Sequence, residues 1–155
     1  MILIITNRQD QTADFLIIEL KRRKVDYIRF NTEDFPKNVS VNWELQNGDI
    51  DGYFIFPKKR VNLKEITSVW YRRPTFPTPA LEIVDQEARD FVIEESRTTL
   101  EGVWRTLQCF WVSNPDNIRI AENKLYQLKI ATQIGFAVWP TLLSFDIKMS
   151  GACRL

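Results

Sequence analysis

The hydrophobic pattern changes period several times along this chain, and each change marks an element. Ile2–Thr6 is an apolar run closed by a hydroxyl residue, which predicts a strand covered on both faces, as in a parallel α/β sheet. Thr12–Lys24 follows as a helix, apolar at Phe15, Ile18 and Leu20. It ends on Lys21-Arg22-Arg23-Lys24, cations that suit a helix C-terminus. Tyr27–Phe30 is a second short strand. Strand, helix and strand in close succession make a βαβ unit with a right-handed crossover.

The period then falls to two. Val39, Val41, Trp43 and Leu45 alternate with Ser40, Asn42, Glu44 and Gln46, and Asp51–Phe56 returns after Asn47-Gly48. Both turn residues tolerate positive φ, so the pattern predicts an antiparallel hairpin at about residues 39–56 on an otherwise parallel sheet. Ser68–Arg72 resumes the parallel sheet, and Pro74, Pro77 and Pro79 make the next segment a stiff loop. The fold class is therefore α/β: a mostly parallel, open, Rossmann-like sheet flanked by helices.

Asp85–Leu107 is the longest predicted helix, and it carries two stripes. Ala88, Phe91, Val92, Thr99, Gly102, Val103 and Thr106 form a mostly small-residue face suited to close packing on the sheet. Ile93, Leu100, Trp104 and Leu107 form a second apolar line with the spacing of a helix–helix seam. That line is expected to be a contact surface, for a second copy (a homodimer) or for an absent domain, with core packing as the alternative. Cys109–Val112 is a further strand, and Ser113-Asn114-Pro115 caps a short turn. Ala121–Leu142 is expected to hold a helix, a stop at Gly135 and a short apolar strand.

At 155 residues the chain suits one domain that buries roughly 70% of its unfolded surface. An apolar share of 45% with 26% charge is ordinary for a soluble globular protein. Net charge near +1 argues against nucleic acid or an anionic membrane as a broad partner. No run approaches the apolar length of a membrane span, and the first residues lack the basic leader of a signal peptide. Two cysteines, Cys109 and Cys153, without paired spacing suit a reducing, cytoplasmic setting. The complete lack of histidine removes His-based triads, imidazole acid–base chemistry and the usual zinc sites, and no metal ligand set is expected.

Three segments are candidates for chemistry. The loop Thr6–Thr12 has none of the five glycines, so it carries no dinucleotide or phosphate-loop fingerprint. Asp10 or Thr12 there is a helix cap, or Asp10 is a ligand group. Asn31-Thr32-Glu33-Asp34-Phe35-Pro36 stands at a strand C-terminal end, where open α/β sheets bind ligands; Asn31 and Glu33 are candidates, with a capping turn as the alternative. Trp70-Tyr71-Arg72-Arg73-Pro74 delivers two adjacent arginines to a strand end. Strand alternation sends their guanidinium groups to opposite faces, one toward a cleft and an anionic ligand, one toward a carboxylate. The carboxylate partners expected are Glu33, Asp34 or Glu95, the last sitting in the small-residue stripe of the long helix.

With Asp10-x-Thr-Ala-Asp14, Asn31-Thr-Glu-Asp-Phe-Pro36, Trp70-Tyr-Arg-Arg-Pro74 and Ala121-Glu-Asn-Lys124 in this order, the chain resembles the pre-ATP-grasp domain of MvdD-like peptide ligases. These are maturases of microviridin-type ribosomal peptides that form ω-ester or ω-amide links through side-chain carboxylates. The resemblance runs over residues 1–145 and leaves 146–155 as an unmatched tail. It implies a precursor peptide as partner, and ATP and magnesium held by an ATP-grasp domain that would follow or come on a separate chain. It implies that Lys124 reaches ATP phosphates in the complete enzyme. The chain itself is then expected to bind no cofactor, to be inactive alone, and to leave Trp139, Leu142, Leu143 and Phe145 short of partners. The other reading, of a different class, is a stand-alone binding or regulatory module.

Overall fold

The computed structural model describes residues 1–145; the tail at 146–155, with Cys153, lies outside the described residues. Contacts within the chain gather into two units, Met1–Asn114 and one beginning at Pro115, inside the span expected to form a single domain. In the first unit, β1 (Ile2–Thr6), β2 (Tyr27–Asn31), β6 (Ser68–Tyr71) and β7 (Phe110–Val112) form a parallel sheet in the order β2-β1-β6-β7. Helix α1 (Gln11–Arg22) joins β1 to β2. The chain then crosses back over β1 to reach β6, so the strand order reverses between β1 and β6.

The predicted hairpin is present as β3 (Ser40–Gln46) and β4 (Asp49–Phe56), turned at Asn47 (φ 52°) and Gly48 (φ 83°). Contrary to expectation, it does not join the parallel sheet. With β5 (Lys59–Asn62) it makes a separate antiparallel sheet in the order β3-β4-β5. Strand β5 was invisible in the sequence because Lys-Lys-Arg after Pro57 has no apolar alternation, and only Val61 turns inward.

The reason for the separation lies in the core. Phe30 of β2, Phe54 of β4 and Trp104 of α2 (Gln86–Thr106) meet with ring centroids 5.0–5.5 Å apart, Phe30 and Trp104 edge to face. The small sheet and the helix thus cover one face of the parallel sheet together, over Leu3, Ile5, Ile28 and Val69. The opposite face packs Ile4 against Ala13 and Leu20 of α1. On α1, Phe15 and Ile18 are exposed, off the line of buried Ala13 and Leu20 and half-buried Leu16 and Ile17.

This core corrects the reading of α2. Leu100, Trp104 and Leu107 are buried core residues rather than an open contact surface, and Ile93 is half-buried. Of the small-residue stripe, Ala88, Phe91, Thr99 and Gly102 are exposed, Val92 and Thr106 are half-buried and Val103 is in the core, and Glu95 is exposed beside them. The first buried residue of the helix is Ser96.

In the second unit, α3 (Pro115–Ala121) has proline at its first position, and α4 (Lys124–Gln133) is capped by Asn123 and followed by Gly135 at φ 90°. The strand expected after Gly135 is not formed, since 136–145 pairs with no other segment among the described residues. Trp139, Leu142, Leu143 and Phe145 are exposed. No described helix is long and apolar enough to cross a membrane.

Trp104→Ala is expected to destabilise the first unit by about 3–5 kcal/mol in denaturant unfolding. A loss below about 1 kcal/mol would return this residue to the surface role.

Candidate functional site

Ligands in open α/β sheets bind outside the strand C-termini where the strand order reverses, here between β1 and β6. The loops leaving β1, β2 and β6 meet there. Asp10 follows β1, caps α1 and is nearly wholly buried, its carboxylate accepting from the Thr12 and Ala13 amides at 3.0 and 3.4 Å. The Thr6 hydroxyl donates to it at 2.8 Å. Arg72, leaving β6, places Nε 3.1 Å from its Oδ2 and Nη2 3.0 Å from the Thr12 hydroxyl. The Arg72 amide donates to Ile5 O at 2.8 Å, which extends the β1/β6 ladder by one rung. Its guanidinium lies 5.5 Å from the Trp70 ring centroid.

Asp10 is thus the helix cap, the first of its two readings, and is also the partner of Arg72. Glu33, Asp34 and Glu95, the partners expected from sequence, are not used by Arg72. Burial pushes the Asp10 carboxyl up, but hydrogen bonds from Thr6 and Ala13, the Arg72 charge and the Thr12 bond outweigh it and hold it below the usual carboxylate range.

The β2 end supplies a second set of ties. Glu33 accepts from the Arg8 amide at 2.6 Å and from the Thr75 hydroxyl at 3.2 Å. Asp34 pairs with the Arg8 guanidinium and accepts from Asn31 at 3.0 Å, while Asn31 accepts from Arg29 Nε at 2.7 Å. Burial pushes the Asp34 carboxyl up, and bonds from Asn31, Arg8 and Asn38 bring it below its ordinary value. Thr32 and Thr75 bond reciprocally: the Thr32 hydroxyl donates to Thr75 O at 2.7 Å and accepts from its amide at 2.8 Å. Asn7 Nδ2 closes the rim by donating to Arg73 O at 2.6 Å.

The structure therefore joins Asp10, Arg72, Asn31 and Glu33 into one hydrogen-bonded rim, with Arg73 on its edge. Arg73 differs from the rest. Its φ is 45°, a left-handed conformation costly for a residue with a side chain, its side chain is exposed, and its guanidinium has no ion-pair partner among the described residues. The residues that follow it, Pro74, Thr75 and Phe76, line a cleft of about 250 Å³ with Thr32 and with Arg97, Glu101 and Trp104 of α2, while Arg73 itself is not in the lining. Sequence reasoning missed Arg8, Asn7 and Thr75. Arg8 and Asn7 lie in the glycine-free loop where only Asp10 and Thr12 carried a signal, and Thr75 had no local signal.

Lys124 opens α4 in the second unit, with Nζ 3.4 Å from Gln127 Oε1. No cluster of three or more potential metal ligands occurs among the described residues.

Because the folded Asp10 carboxyl is held below its unfolded value, its stabilising effect is complete above the unfolded pKa. It is lost as pH falls through the folded one. Asp10→Asn is expected to lower stability at neutral pH by about 2 kcal/mol and to flatten the stability–pH curve below about pH 5, read by urea unfolding across pH. An unchanged acid limb would remove Asp10 from this role.

Residues 1–119 match the family model described as the MvdD pre-ATP grasp domain. Among solved structures, the chain is similar to macrocyclase MdnC bound with precursor peptide MdnA from Microcystis aeruginosa MRC. Identity is 25% and the TM-score 0.89, over 97% of this chain and 49% of that one. Macrocyclase MdnB from the same organism is 27% identical with a TM-score of 0.79, over 91% and 46%. A Chryseobacterium gregarium RiPP-associated ATP-grasp ligase in complex with ADP and a leader and core peptide is 29% identical. Its TM-score is 0.79, over 88% and 42%. The chain spans about half the length of these structures or less. No curated protein matches it. Its fold and the match over its first 119 residues show that this chain belongs to the MvdD pre-ATP-grasp domain family.

Proposed function

We propose that the chain is the N-terminal domain of an ATP-dependent carboxylate–amine or carboxylate–alcohol ligase acting on ribosomal peptides of the microviridin type. Its part is to scaffold the catalytic region and position the precursor peptide. The observation that carries this reading is the closed rim with one guanidinium left out. Asp10 and Arg72 satisfy each other where a substrate would enter a Rossmann-type site, and Arg73 is held outward at positive φ. A strained, exposed arginine at the edge of the rim is suited to a carboxylate or other anionic group through two parallel hydrogen bonds.

Nucleotide binding belongs elsewhere in this proposal. The amides at the N-terminus of α1, the usual phosphate seat, are already taken by the Asp10 carboxylate, whose charge repels an anion. ATP and magnesium are assigned to an ATP-grasp domain carried after this one or on another chain, with Lys124 contributing a phosphate contact. Without it the chain is inactive. Dimerisation through α2 is not part of the proposal, since that line of side chains is core.

Two measurements test it. Arg73→Gly in the complete ligase should lower kcat/KM for the precursor at least about tenfold while raising domain stability by about 0.5–1 kcal/mol, because glycine accepts this φ without strain. Unchanged ligation would remove Arg73 from the site. Calorimetric titration of this chain with magnesium–ATP should give no binding tighter than about 100 μM; tighter binding would contradict the inactive-scaffold reading.

A further inference from the structure

The small sheet takes no part in the rim, yet its edge strand is open. Among the described residues β3 pairs with β4 on one side only, and six of its seven residues are exposed. Its outer N–H and C=O groups are thus accessible along the strand. Protein edge strands ordinarily carry lysine, proline, a bulge or an inward charge that blocks further pairing. β3 has none of these; its one charged residue, Glu44, points outward.

The two faces of the edge call for different side chains. Val41 stands opposite the buried Phe54, so Val41, Trp43 and Leu45 share the core-side face. Trp43 and Leu45 nevertheless remain 42% and 56% exposed, an apolar row lacking cover on its outer side. On the other face Glu44 lies directly opposite Asp51, a like-charged cross-strand pair that destabilises the sheet. Lys64 pairs with Asp49 and its charge also reaches Asp51, and Arg60 lies over the Tyr53 ring on the same face, but Glu44 has no ion-pair partner among the described residues.

We propose that the free edge of β3 adds an extended peptide segment of alternating apolar and basic residues. Its backbone would satisfy the open edge, its apolar side chains would continue the Val41/Trp43/Leu45 row, and its cations would sit beside Glu44 and Asp51. A second copy of β3 fits less well, because Ser40–Gln46 holds no cation to relieve that carboxylate pair. The proposal goes beyond the Arg73 site and does not depend on it.

The test uses the whole chain and three labelled, N-acetylated seven-residue probes in fluorescence polarisation. These are alternating lysine/valine, alternating glutamate/valine, and lysine/valine with every second amide N-methylated. The first should saturate, the second should bind at least about tenfold more weakly, and the third should lose binding because it cannot complete the ladder. Glu44→Lys should reverse the charge preference with an unchanged circular dichroism spectrum. Equal binding of the three probes, or no saturation by lysine/valine below about 1 mM, would overturn the proposal. So would sedimentation showing that the chain alone is a dimer which Trp43→Lys converts to monomer, since a second copy would then occupy the edge.

Discussion

The Asp10 carboxylate is the constraint on which the rest of this fold's functional end depends. It ends β1 through Thr6, starts α1 through two amides and receives Arg72 from β6, with almost no water around it. A buried carboxylate with fewer partners would be costly. With this set, one side chain fixes the register between the first strand, the first helix and the strand across the reversal point. The alignment of the rim follows: Arg72 in place brings the Arg73 carbonyl to Asn7, and the Thr32–Thr75 pair holds the proline loop against β2.

A Rossmann-type sheet usually opens its reversal point to a ligand. Here the chain closes that point on itself and displays an arginine from the closure. The energetic logic separates two adjacent residues of the same type. Arg72 serves folding, within a largely buried ion pair, and Arg73 stands in solvent in a conformation that folding alone does not favour. The proposed positioning role would use this division, because a rigid frame lets binding energy act on the orientation of a bound peptide rather than on ordering the site.

Much of this was legible in the sequence. The apolar Ile2–Thr6 run, the Asn47-Gly48 turn and the long Asp85–Leu107 pattern each carry their own local signal, and all three elements formed. The resemblance assembled from four short motifs led to the family found by comparison. What failed was non-local. Which stripe of α2 faces the core depends on Phe30 and Phe54 arriving from two different sheets, and no period within the helix reveals that. The apolar run after Gly135 has strand composition but no neighbour to pair with among the described residues. For the site, the arginine pair and Asp10 were both visible, but their union was not, because 62 residues separate them and other acids were equally good partners by residue type.

The most direct test of this account is a double-mutant cycle on the first unit's central pair, with Asp10→Asn, Arg72→Met and the double variant followed by urea unfolding at neutral pH. A coupling of at least about 1 kcal/mol, with the double variant less destabilised than the sum of the singles, is the result expected of a buried lock. Additive losses, with coupling below about 0.3 kcal/mol, would mean that Arg72 is as free as Arg73 and that the two arginines are not divided between structure and function.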